Sequence, residues 1–194
     1  MISMELIKAL RERTGAGIVE VKKALEEAGG DEEGAIRILR ERGAAKAVKK
    51  TDREAKEGVI ATYLHSNGRV AAMVKLFCET DFVARNEDFQ TLGRDIAMHI
   101  VAMNPGVLRP EDVSEETVAS ERGIWTEELR TAGKPEEMIV KILEGKERKL
   151  REENALLTQP FVKDPEKTIK DLLSESVQKI GENIQIGGFV RYEI

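Results

Sequence analysis

Apolar residues recur with helical spacing in three blocks at the start of the chain, "MELIKALRER", "GIVEVKKALEEAG" and "EEGAIRILRERG", which predicts three short helices. Ser3 and Asp31 stand where N-caps belong, Thr14-Gly15-Ala16-Gly17 makes a turn, and Gly15, Gly29-Gly30 and Gly43 punctuate the blocks. Leu6, Leu10, Ile18, Val21, Leu25, Ile36 and Leu39 supply a miniature core, too small for much stability of its own. From Ala44 to Glu57, "AAKAVKKTDREAKE", the apolar period lapses and the chain turns basic and small, the pattern of a linker with room for partial helix. The expected organisation is residues 1–43 as a three-helix domain, 44–57 as linker and 58–194 as core.

The core opens with a change of period. "GVIATYLHS" and "RVAAMVKLFCET" flank Asn67-Gly68, which predicts a β-hairpin with positive φ at both turn residues. Val70, Ala72, Val74, Leu76 and Cys78 share one face, and Ala71, Met73 and Phe77 make the other apolar enough to expect cover on both. Asn86 then caps a helix whose stripe is Phe89, Leu92, Ile96, Ile100 and Met103, stopped by Pro105-Gly106. Helices are predicted through "SEETVASERGIWTEELRTAG" and "KPEEMIVKILEGKERKLREE", with Pro135 at a first helical position. An extended "NALLTQPFVKD" follows, then a helix from Asp164-Pro165 to Ile180 and a last strand, "NIQIGGFVRYEI", with a glycine bulge. About three strands and seven helices give an α+β class with a small antiparallel three-stranded sheet packed with helices. So small a sheet leaves open edges, and a second chain or a helix is expected to cover one.

Composition narrows the function. The 31 basic residues against 36 acidic ones leave a net charge of −5, so no global basic field draws nucleic acid. The lysines between Lys46 and Lys56 alternate with acids, and 4% aromatic content offers few stacking platforms, so direct nucleic-acid binding is not expected. Cys78 is the one cysteine, which excludes an intrachain disulfide and suits a reducing cytosol; it is expected as a reduced core thiol. The opening "MISMELIKALRER" lacks the apolar run of a cleavable signal, and no stretch approaches a membrane span, so a cytoplasmic protein without membrane contact is expected.

Little of the chain looks like chemistry. His65, His99, Cys78 and Glu79 are the candidates for a metal site or a Cys-His dyad, yet no HxxxH, CxxC or HExxH spacing joins them. "TGAG" and "IGGF" do not lie between a strand and a helix as phosphate loops do. No catalytic residue, metal or cofactor is therefore assigned. "CETDFVARNEDF" stands apart, because Phe82 and Val83 are apolar residues in a strand-to-helix connection rather than in a stripe. Spacing alone leaves two readings open: Phe82 folds back as a staple on the helix begun at Asn86, or it enters a partner.

Three stretches, "LIKALRERTGAGIVEVKKALEEAGGDEEGAIRILRERG", "CETDFVARNEDF" and "LLTQPFVKDPEKTI", in this order, resemble the signatures of the bacterial elongation factor Ts family over nearly the whole chain. The resemblance implies a guanine-nucleotide exchange factor for elongation factor Tu, not an enzyme, with an N-terminal domain like ubiquitin-associated (UBA-like) modules. It also implies that Thr80, Asp81, Phe82 and Val83 dislodge Mg²⁺ from the GTPase, with Phe82 as the wedge, and that Arg11, Ile18 and Val19 dock the N-terminal domain on it. Longer family members carry a duplicated core and a coiled-coil insertion. Here one hairpin, one "TDF" and one terminal strand look like the short form, in which a homodimer is expected to supply what one long chain otherwise contains.

Overall fold

The computed structural model describes residues 2–194, with the backbone alone for Ala44, so residue 1 of the expected 1–43 domain lies outside it. In chain order the elements are α1 (Met4–Thr14), α2 (Ile18–Glu27), α3 (Glu32–Val48), β1 (Glu57–Leu64), β2 (Val70–Cys78), α4 (Asp81–Ala84), α5 (Glu87–Met103), α6 (Glu115–Thr131), α7 (Glu136–Asn154), β3 (Pro160–Phe161), β4 (Asp164–Thr168), α8 (Ile169–Ile180) and β5 (Gln185–Glu193). Two compact units result, one joining the chain up to Met98 with Lys170–Ile194, the other spanning His99–Ile169.

In the first unit, Ser3 and Asp31 cap as their chemistry predicts, accepting from Leu6 N at 3.1 Å and Gly34 N at 2.8 Å. Ile7, Leu10, Val21, Ala24, Leu25, Ile36 and Leu39 close a core of their own among α1–α3. Leu6 only borders that core, and Ile18, expected inside it, is exposed. α3 does not stop at Gly43 but continues to Val48, into the expected linker. Gly43 lies within α3 and ends no helix; it faces the amide end of the Gln178 side chain of α8, a flexible group that can swing aside, so packing does not require a glycine there.

β1, β2 and β5 form an antiparallel sheet in that order. Ala61, Ala72, Val74, Leu76, Cys78 and Ile186 are buried, and α5 lies against the inner face with Phe89, Leu92 and Ile96 buried on it. A Cβ on Gly93 of α5 would stand 2.7 Å from that of Ala61, so the helix sits as close as glycine allows. Ile60, Leu64, Met73 and Tyr192 are exposed on the outer face, so among the described residues the expected cover is present on the inner face alone. The hairpin turn also differs from expectation: Gly68 has φ 68° while Asn67 does not enter the positive region. Gly68 N donates to His65 O at 2.8 Å, making a turn centred on Ser66-Asn67 followed by a left-handed glycine, which a five-residue loop permits. The glycine bulge is found: the register passes from Lys75↔Gly188 to Leu76↔Ile186, leaving Gly187 unpaired beneath the Phe77 ring.

In the second unit, the helical hairpin α6–α7 buries Val118, Ile139 and Leu143 and is bridged by Arg122 and Glu147 at 2.7 Å. Pro135, expected at the first helical position, is instead the cap of α7, whose first residue is Glu136. Asp164-Pro165 does not start a helix; it lies in β4, paired with β3, and α8 begins only at Ile169. Pro160 in β3 and Pro165 in β4 have no N–H to donate, which suits strands that are both edges of a two-stranded sheet. Met103, expected in the α5 stripe, is exposed as that helix's last residue, where Asn104 takes φ 48° and ends it.

Candidate partner-binding site

At the exit of β2 the chain turns through one helical turn, α4, before α5 begins. Thr80 caps it from extended backbone (φ −128°, ψ 155°), its Oγ1 accepting from Val83 N at 3.4 Å. Asp81 pairs with Arg85 at 2.9 Å across the turn, and Asn86 N donates to Val83 O at 2.9 Å. Asn86 Oδ1 then accepts from Asp88 N at 2.8 Å, capping α5 as predicted. Ala84 is buried and Val83 half-buried, which anchors one side of the turn; Phe82, on the other, is 82% exposed. The ring does not fold back on α5 as a staple. A benzyl group held in water by a capped turn is an apolar surface without an intramolecular partner.

The support of this turn comes from far along the chain. Glu182, just past α8, accepts from Glu79 N at 3.0 Å and Thr80 N at 3.1 Å through Oε2, and from the Thr80 hydroxyl at 2.7 Å through Oε1. Glu79 reciprocates by accepting from Asn183 N at 2.6 Å, and Asn183 Nδ2 donates to Arg53 O at 2.7 Å. Sequence reasoning missed Glu182. Its partners lie 102 and 103 positions away, and no local spacing signals such a contact.

Arg11, Ile18 and Val19 lie around the "TGAG" turn. Gly15 takes φ 67° and donates to Arg11 O at 2.8 Å, Ala16 is buried, and Thr14 Oγ1 donates to Leu10 O at 2.6 Å. This leaves Ile18 (46%) and Val19 (66%) exposed on the first turn of α2, with Arg11 exposed on the last turn of α1. Lys179 of α8 touches both regions: a Cβ on Gly15 would sit 3.3 Å from that of Lys179, whose Nζ pairs with Asp88 at 2.8 Å. The end of α8 thus borders both predicted surfaces.

The alternative chemistry is dispersed. Cys78 pairs with Glu57 at one end of the hairpin while His65 follows Leu64 at the other. Burial, with the Glu182 charge behind it, pushes the Cys78 thiol up to about 11, and its Sγ donates to Thr80 O at 3.2 Å. Within the second unit, His99 is buried; Nδ1 accepts from Val162 N at 3.2 Å and Nε2 contacts Gln159 Oε1 at 3.0 Å. Burial holds its pKa below the usual histidine range, so it is a neutral structural strut for the "TQPFV" segment. Among the described residues no group of His, Cys, Asp or Glu is arranged to hold a metal ion, and no helix is long and apolar enough to cross a membrane.

A family model described as Elongation factor TS matches residues 20–194. The chain belongs to the elongation factor Ts family. It is 53% identical to the curated elongation factor Ts of Thermosipho melanesiensis, over all of this chain and 99% of that protein. It is 54% identical to that of Rubrobacter xylanophilus, over 98% of each, and 50% identical to that of Fervidobacterium nodosum, over all of this chain and 98% of that one. Arg11, Ile18 and Val19 precede the residues matched by the family model, yet the elongation factor Ts of Thermosipho melanesiensis is aligned across them.

Proposed function

We propose that this member of the elongation factor Ts family is a cytoplasmic translation elongation factor that binds elongation factor Tu, dislodges its Mg²⁺ and promotes release of GDP. The observation that carries the reading is Phe82, 82% exposed on a capped turn whose base is fixed on the sheet. The partner supplies the chemistry. An exchange factor works by linkage: it binds the nucleotide-free GTPase more tightly than the GDP-bound one, and GDP loosens it by the same factor. Insertion of Phe82 between two helices of the GTPase shifts the backbone that positions Mg²⁺ ligands and phosphate-binding amides, so no contact with the guanosine is needed. Thr80 and Val83 hold the turn from either end, and Asp81 positions it through Arg85.

Magnitudes divide the labour. Burying one phenylalanine yields roughly 1.5–3 kcal/mol, and each tenfold in affinity takes about 1.4 kcal/mol, so Phe82 alone accounts for about one to two decades. The rest falls to a wider interface in which residues 1–43 dock through Arg11, Ile18 and Val19, with 44–57 as connection and 58–194 as core. A homodimer completes it. The open sheet face, apolar across Ile60, Leu64, Met73, Val190 and Tyr192, favours a second copy as its cover. No step requires a covalent intermediate, so the protein acts as a binding catalyst of exchange and not as an enzyme on a substrate of its own. Release of fluorescent GDP from elongation factor Tu, with and without the protein, tests the reading: acceleration is expected, and an unchanged release rate overturns it.

A further inference from the structure

A single helical turn carries the exposed ring, and one turn of helix has almost no stability of its own. The α4 turn closes on little more than Ala84 N to Thr80 O and Arg85 N to Asp81 O, both at 3.2 Å. What holds its first residue is the Glu182 carboxylate, which takes three donors on two oxygens, the N–H groups of Glu79 and Thr80 and the Thr80 hydroxyl. The hydroxyl contact has a second effect. By donating its proton to Glu182, Thr80 Oγ1 turns its lone pairs toward Val83 N, the cap that flanks Phe82 on the other side. The carboxylate therefore fixes both the backbone entering the turn and the cap inside it.

We propose that Glu182 is a positioning residue for nucleotide exchange, holding the Thr80-capped turn so that Phe82 leaves the protein in one direction. The inference rests on Phe82 acting as the wedge. Glutamine at this position keeps size and shape but exchanges one acceptor oxygen for an N–H donor facing donors, so Glu182→Gln opposes the clamp without opening a cavity. Fixing a residue's backbone costs conformational entropy, and a turn released from the clamp must meet that cost on reaching the orientation that inserts the ring, which corresponds to about tenfold in a rate that depends on it.

The full-length chain with elongation factor Tu and fluorescent GDP gives the test, read as the maximal release rate and the half-saturating concentration. Glu182→Gln is expected to lower the maximal rate about tenfold while the half-saturating concentration stays within about twofold. In a Phe82→Ala background the same change is expected to add less than about twofold, because the clamp acts through the ring. An unchanged maximal rate in Glu182→Gln, or an equal loss with and without Phe82, overturns the proposal, the second result marking a merely structural tie. Should Glu182→Gln not fold, Thr80→Val and Thr80→Ser replace it at an exposed position: serine is expected to keep the rate and valine to lose it, and equal rates overturn the proposal. Phe82→Ala at the normal rate removes wedge and clamp together. A slow Phe82→Ala beside a normal Glu182→Gln removes the clamp alone.

Discussion

Phe82 and His99 represent opposite uses of a large side chain. The first is kept out of the core, the second is sealed in it with both ring nitrogens engaged. Replacement of Phe82 by alanine should leave the thermal midpoint unchanged and slow stimulated GDP release about tenfold or more; stopped-flow fluorescence checks the rate and calorimetry the fold. His99 titrates with the opposite consequence, for stability and not for exchange. Its pKa is lowered in the folded protein, so the unfolded chain binds the proton first and stability falls as pH drops below the ordinary histidine value. Melting temperature should therefore decline between about pH 7 and about pH 5 more steeply than in His99→Gln, as scanning calorimetry across that window would reveal. Neither role could be read from spacing. Phe82 was ambiguous between staple and wedge, because exposure depends on what the rest of the fold leaves uncovered. Histidine in an amphipathic helix says nothing of partners such as Gln159 and Val162 that arrive from another segment.

Elements whose periods were strong matched the expectation: α1, α2, α5, α6 and α7, the β1–β2 hairpin and the bulged β5. Failures cluster at glycine and proline, where one residue type serves two purposes. Gly43 reads as a helix end and lies inside α3; Asp164-Pro165 reads as a helix start and lies in a strand. At Asp164-Pro165 the pairing with β3, invisible locally, outweighs propensity. Gly93 makes the same point with a consequence for stability. A side chain there must push α5 away from Ala61 and Leu76, so Gly93→Val should destabilise by roughly 1–3 kcal/mol in urea unfolding despite improved helix entropy. An unchanged midpoint would mean that α5 slides without cost.

At the scale of the molecule, the N-terminal helices have a core of their own but are also tied to α8 through Arg40 and Glu175 at 3.7 Å and through Gln178 and Glu20 at 3.4 Å. Those ties are few and solvent-exposed in part, so each contributes little. Removal of the residues before Ala44 should weaken binding to elongation factor Tu yet leave a folded remainder of unchanged association state, checked by titration of the GTPase and by light scattering. Equal affinity of the shortened chain would exclude docking through Arg11, Ile18 and Val19. The carboxylate that fastens the Thr80 turn belongs to Glu182, 102 positions further along the chain, and β5, which pairs beside β2, follows it. During synthesis, then, the projecting ring is made first and the carboxylate that braces its turn long after, so until that later segment has emerged from the ribosome the turn lacks the hydrogen bonds that set its bearing.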